Sequence, residues 1–291
     1  SNGEGKGKGK GKGRGKSKGK WLGKGKSKTK TRGADAFASG RLKPEAYLAE
    51  GGFSRVFRGQ FETDSGFVAV AIKPELTSLE CFILQRLAAS SSDLVGVVPV
   101  LDASHITTNG DRVALLQFGN LGTLADALPR WSRAGALDNI AFLALLVGVS
   151  DGMASLHRLK IIHCDPQPRN IVLHADDVQS GVWLIDFGDS RLIDFPEYWY
   201  VNGAGGPEVA CRHDEHHGCF SVKTDSWGLA QLATIIWSLR TRSWWGVGNP
   251  ADIDASMPLS DLLGRCLLRE PAARPSVSEV STAARHKLAA A

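Results

Sequence analysis

Nowhere in its 291 residues does the chain string together the roughly 20 apolar side chains that a membrane-spanning helix requires. The longest apolar run, near Ala141 to Val149, is short and reads as a buried helix. No apolar segment opens the chain, so the protein is expected inside the cell, in cytoplasm or nucleus, with no transmembrane segment. Cysteine is scarce and odd in number. Cys81, Cys164, Cys211, Cys219 and Cys266 are scattered, which argues against a disulfide framework and for a reducing compartment. The chain as a whole is 43% apolar, enough for a real core in one or two domains.

Acidic side chains are nearly missing from the first 34 residues, where thirteen Lys and Arg face one Glu. The rest of the chain carries 22 Lys and Arg against 29 Asp and Glu. The net charge of +5 therefore hides a tail of +12 and a body of −7. Up to about Gly33 the tail alternates Gly or Ser with Lys or Arg, buries nothing and repels itself, so it is expected to be disordered. Such a segment suits a weak contact with a polyanion, nucleic acid or acidic lipid, through counterion release. A solvated tail without a partner is the plainer alternative.

The chemistry concentrates between His163 and Gly188, HCDPQPRNIVLHADDVQSGVWLIDFG. Asp165 stands in a loop, where a carboxylate can accept the proton of an attacking hydroxyl. Asn170 follows closely enough to hold a metal from the same loop. IVLH and VWLI then read as a strand pair around a polar turn, and that hairpin returns Asp186 to the mouth of the loop. Two carboxylates and an amide oxygen facing one point suit Mg2+. The spacing resembles the H-R-D-x-x-x-x-N and D-F-G elements of protein kinases. The loop H-x-D-x-x-P-R-N also resembles that of fungal kinase-like proteins.

The resemblance spans about residues 42–285 and implies further roles. Residues 49–56, Ala-Glu-Gly-Gly-Phe-Ser-Arg-Val, stand where kinases have the phosphate-cradling G-x-G-x-x-G-x-V. Ala49, Gly51, Gly52 and Val56 would line the nucleotide, although only the middle Gly of the motif, Gly51, is kept. Val70-Ala71-Ile72-Lys73 matches V-A-I-K, which implies Ala71 among the nucleotide-binding residues and Lys73 at the α/β-phosphates. Glu80 would be its helical ion-pair partner, with only six residues between the two, so that the helix would start late and leave Glu80 close to its N-terminus. Thr77-x-x-Glu80 is also a capping box, so a second role for Glu80 stays open. Leu116 would be the gatekeeper, and Gln117 and Phe118 would offer backbone groups to adenine. Asp165 would be the catalytic base, with Asn170 and Asp186 holding the metal.

Departures from the pattern are as informative. Cys164 replaces the Arg of H-R-D, and Gln167 replaces a Lys that helps to neutralise the transferred phosphoryl group. Asp225 would anchor the catalytic loop from a buried helix, and Glu208 would pair with Arg274. CRHDEHHGC, residues 211–219, holds enough Cys and His to bind zinc, but its spacing fits a polar loop without a structural metal. The resemblance implies a two-lobed α+β protein-kinase fold: tail 1–40, small sheet lobe 41–118, larger helical lobe 119–291. The implied function is ATP- and Mg2+-dependent transfer of a γ-phosphoryl group to a protein hydroxyl, Ser/Thr over Tyr. Two alternatives stay open. One is a pseudokinase serving as a nucleotide-binding or scaffolding module, and the other is a small-molecule kinase.

Overall fold

Alternating inward and outward side chains in RVFRGQFET and GFVAVAIK make two antiparallel strands, β2 (Arg55–Thr63) and β3 (Gly66–Lys73), joined at a tight turn. With β1 (Leu42–Glu50), β4 (Val100–Ile106) and β5 (Arg112–Gln117) they form one sheet in the order β1-β2-β3-β5-β4, each neighbouring pair antiparallel. Phe57, Val70, Ile72, Val113 and Leu115 fill one face with Leu42. The structure, a computed structural model, describes residues 40–50, 55–174, 181–194, 220–241 and 253–291.

Helix α1 (Ser78–Ala88) crosses the other side of the sheet, where Ile83, Leu84 and Leu87 join a core that also takes in Ala114 and Leu116. That same core continues into the helices of the second part. These are α2 (Leu124–Ala134), α3 (Asn139–Arg158), α4 (Val222–Thr241), α5 (Ser260–Cys266) and α6 (Val277–Ala289). A capping box of Thr123 with Asp126 opens α2, and one of Ser276 with Glu279 opens α6. Each satisfies donors that a helix start leaves orphaned. Helix α2 accommodates Pro129 in its interior, a residue that marks most sequences as non-helical.

The apolar run read as short belongs to the 20-residue α3, which is long and apolar enough by composition alone to cross a membrane. It lies inside the fold instead, with buried residues from Phe142 to Leu156. Two glycines explain how closely the chain packs on it. A Cβ on Gly152 of α3 would lie 2.4 Å from the Gly96 carbonyl oxygen, and one on Gly96 would lie 2.7 Å from that of Gly148. Gly96 also needs its φ of +70°, a region that costs glycine little. The segment so seated bonds to the short strand β8 (Val182–Leu184), with Leu184 N–H donating to Gly96 O at 2.9 Å and Val98 N–H to Leu184 O at 3.1 Å. The sheet is thereby fastened to the hairpin that carries Asp186.

Candidate active site

Lys73 ends β3 opposite Ala114 of β5, and both it and Glu80 are buried, at 5% and 3% exposure. Its ammonium forms an ion pair with the Glu80 carboxylate and a second with Asp186, Nζ to Oδ1 at 2.7 Å. Burial alone would lower the Lys73 pKa, but the two carboxylates outweigh it and raise it. Partial burial would raise Asp186, yet Lys73 and the Gly188 N–H hold its carboxyl below the ordinary 3.8. Glu80, the more enclosed carboxyl, is pushed above 4.5 by burial despite Lys73. One cation is thus shared by two carboxylates, and the ammonium stays charged.

The rival role of Glu80 is present as well. Thr77 caps α1, its Oγ1 accepting the Glu80 N–H at 3.1 Å. Only this half of the capping box forms, because the Glu80 side chain turns to Lys73. Six intervening residues do start the helix late, leaving Glu80 as its third residue.

The Asp165 loop is held from below by Asp225 of α4. This fully buried carboxylate accepts the N–H of His163 (Oδ2, 2.9 Å) and of Cys164 (Oδ1, 2.9 Å) and meets His157 Nε2 at 2.7 Å. Burial would raise its pKa, and the His157 bond together with these loop contacts brings it below 3.8. Sequence reading found Asp225 but not His157, because a lone His in the last turn of a helix carries no motif. The clamp holds Cys164 at φ +68°, a left-handed conformation that costs a residue with a Cβ about 1 kcal/mol. Pro166 sits over Gly228 of α4, where a Cβ would come within 2.5 Å of its Cγ.

His163 joins the two halves of the site. Asp165 N–H donates to His163 Nδ1 at 3.3 Å, so the ring proton lies on Nε2 and donates to Ile185 O at 3.0 Å. The ring also meets Phe187 edge-on, centroids 5.7 Å apart. Between them runs the hairpin of β7 (Ile171–Leu173) with β8, paired Ile171 to Leu184. One step beyond this pair, Ile185 N–H donates to Asn170 O at 3.0 Å. The ladder therefore sets Asn170 beside the residue preceding Asp186.

The donors suit a hard divalent cation. Asn170 commits its Nδ2 to Asp165, to Oδ2 at 2.7 Å and to the carbonyl at 3.0 Å, which leaves its amide oxygen as the atom that could meet a cation. Asp186 engages Oδ1 with Lys73 and Gly188, and its Oδ2 has no partner among the described residues. Asp186 takes φ +62°, a left-handed conformation that Asp tolerates better than most residues.

Other expectations meet the structure unevenly. Gln117 N–H donates to Pro99 O at 2.9 Å and Phe118 N–H to Ala69 O at 3.2 Å. These two N–H groups are engaged within the protein, which leaves carbonyls or the N–H of Gly119 as the backbone groups there that could meet an adenine. Leu116 and Ala71, partners across β5 and β3, do meet at the sheet face that packs on the main core. Val56 pairs with Ala49 in the strand ladder. Gly51 and Gly52 lie outside the described residues, as do Glu208 and the Cys/His segment 211–219. Arg274, expected opposite Glu208, directs its guanidinium to the carbonyls of Leu268, Arg269 and Lys223 and lies over Trp227.

Where an Arg was missing, Cys164 is buried among Ile162, Phe220 and Ile193. The cation nearby comes from the short strand β9 (Arg191–Leu192), which pairs with β6 (Ile161–Ile162). Arg191 donates to the carbonyls of Asp189 and Ser190 and lies over the Phe220 ring. Ser190 is fully buried with its hydroxyl on His163 O at 3.1 Å, which removes it as an accessible phosphate acceptor.

A family model for protein tyrosine and serine/threonine kinases matches residues 42–251, well over half of the chain. Its span takes in the sheet, α1, the Asp165 loop and Asp186, in the two-lobed α+β fold that these elements build. The chain belongs to the protein tyrosine and serine/threonine kinase family.

Proposed function

We propose that the protein is an active kinase, using ATP with Mg2+ to transfer the γ-phosphoryl group to a protein hydroxyl, Ser or Thr before Tyr. The observation that carries this reading is the buried Lys73, already paired to Glu80 and Asp186. A protein kept only as a scaffold has no need to hold the Lys73 and Glu80 charges out of water, where each must be compensated. Lys73 offers its ammonium to the nucleotide phosphates, and Glu80 holds it in reach of them. Asp165 accepts the proton of the acceptor hydroxyl as its oxygen bonds to the γ-phosphorus and the bond from that phosphorus to the departing ADP breaks. Asn170 and Asp186 would hold Mg2+, which supplies charge neutralisation at the phosphates. Positioning and electrostatics of this kind carry most of phosphoryl transfer.

The test is transfer of labelled γ-phosphate to the protein itself and to a panel of peptides and metabolites. Asp186→Asn abolishes turnover, and Asp165→Asn abolishes it while leaving nucleotide affinity within about twofold. Nucleotide binding without transfer to any acceptor returns the reading to a pseudokinase. Transfer to a metabolite but to no peptide makes it a small-molecule kinase.

A further inference from the structure

Gln167 is tied to the catalytic loop at three points. Its backbone N–H donates to Asp165 O at 2.9 Å and its carbonyl accepts the Asn170 N–H at 2.8 Å. Its side-chain Nε2 donates to Asp165 Oδ2. Asn170 Nδ2 donates to that same oxygen at 2.7 Å. Two amides from either end of one short turn therefore converge on Oδ2, while Oδ1 has no partner among the described residues. A carboxylate with one oxygen accepting two hydrogen bonds can no longer rotate about χ2 without losing both contacts. We infer that Gln167 is a positioning residue. Its amide locks the Asp165 carboxylate with Oδ1 facing outward, as the oxygen that takes the acceptor proton.

The inference rests on the kinase reading above and adds a residue that this reading leaves as a loss. The Lys that Gln167 replaces would bring a charge, and the amide brings none. What the amide keeps is a donor, and its geometry directs that donor to the base rather than outward. Misplacing a reacting group by about 1 Å can cost on the order of 100-fold in rate, so orientation alone is a sufficient function for this side chain.

The experiment compares Gln167→Leu, Gln167→Glu and Gln167→Lys with the full-length wild type. It measures kcat, KM for ATP, KM for the acceptor and Tm. Leu removes the donor at similar volume, and kcat is expected to fall roughly 10- to 100-fold with KM for ATP and Tm unchanged. Glu, an acceptor facing an acceptor, lowers kcat at least as far. Lys restores a donor to Oδ2 and returns kcat to within about threefold of wild type or above it. An active wild type with Gln167→Leu at the same kcat overturns the inference. So does a loss matched by a fall in Tm and ATP affinity, which marks a purely structural role. A wild type that transfers nothing to any acceptor overturns the kinase reading instead, and the positioning role falls with it.

Discussion

One ammonium between two carboxylates tolerates little change. Lys73→Met leaves Glu80 and Asp186 together without their counter-charge, and removing one partner of a buried ion pair costs about 3 kcal/mol or more. The cost depends on pH in a direction that can be worked out. Glu80 is already held above 4.5 by burial, and losing Lys73 raises it further. The folded variant then binds a proton that the unfolded chain does not, so its stability rises as pH falls from 7 towards 4.5. Urea unfolding at pH 7 and pH 5 should show the deficit relative to wild type shrinking at the lower pH. A deficit equal at both would mean that Glu80 does not carry the charge. Asp225 has the opposite sign. Held below 3.8, it stabilises the fold above that value and loses this contribution as pH falls through its folded value. Melting curves between pH 5 and pH 2.5 should therefore steepen in wild type below pH 4. Asp225→Asn, less stable at neutral pH, should show a flatter dependence. Residues of this kind were legible when a motif named them, as with Lys73, Asp165, Asn170, Asp186 and Asp225. His157 and Arg191 were not, because the partner of the first lies 68 residues away and the second bonds to the backbone carbonyls of Asp189 and Ser190, contacts that no motif announces.

Elements were legible where period and caps agree. The alternation in β2 and β3, the apolar spacing of α1 and the strand pair around the turn before β8 could all be read from side chains alone. The late start of α1 could be read too, from the six residues between Lys73 and Glu80. The seating of elements on one another could not. The approach of Gly96 to Gly152 joins residues far apart in sequence, and each glycine alone looks like any other. The same holds for the sheet bonds that engage the N–H groups of Gln117 and Phe118. Helix α1 offers the cleanest test at this scale, because its cap touches the site through one residue. Thr77→Ala removes the acceptor for the Glu80 N–H. It should cost about 1 kcal/mol, or roughly 2–4 °C in Tm for a domain of this size. Because Glu80 lies in that first turn, fraying there should also lower kcat, while Ser78→Ala, one position along, should leave both nearly unchanged. Loss of stability without any loss of rate would separate the cap from the ion pair.

At the scale of the whole molecule the charge is divided. Thirteen of the 35 Lys and Arg lie in residues 1–34 with a single Glu, and the body that carries the site is net acidic. Like charges spaced by Gly gain nothing from burial and lose entropy if ordered. The tail is therefore expected to act through long-range electrostatics rather than through the fold. Deleting residues 1–34 should leave Tm within about 1 °C and leave the kinetics on a neutral peptide unchanged. It should weaken binding to single-stranded RNA and to vesicles rich in acidic lipid. The form of the dependence identifies the cause. For each phosphate neutralised, the logarithm of the RNA binding constant falls by about 0.7 per decade of salt. Full-length protein engaging even half of its thirteen tail cations should then show a slope of roughly −4 to −5, and the deletion a slope near zero. Binding as strong at 300 mM salt as at 50 mM would exclude counterion release and leave the tail a solvated extension.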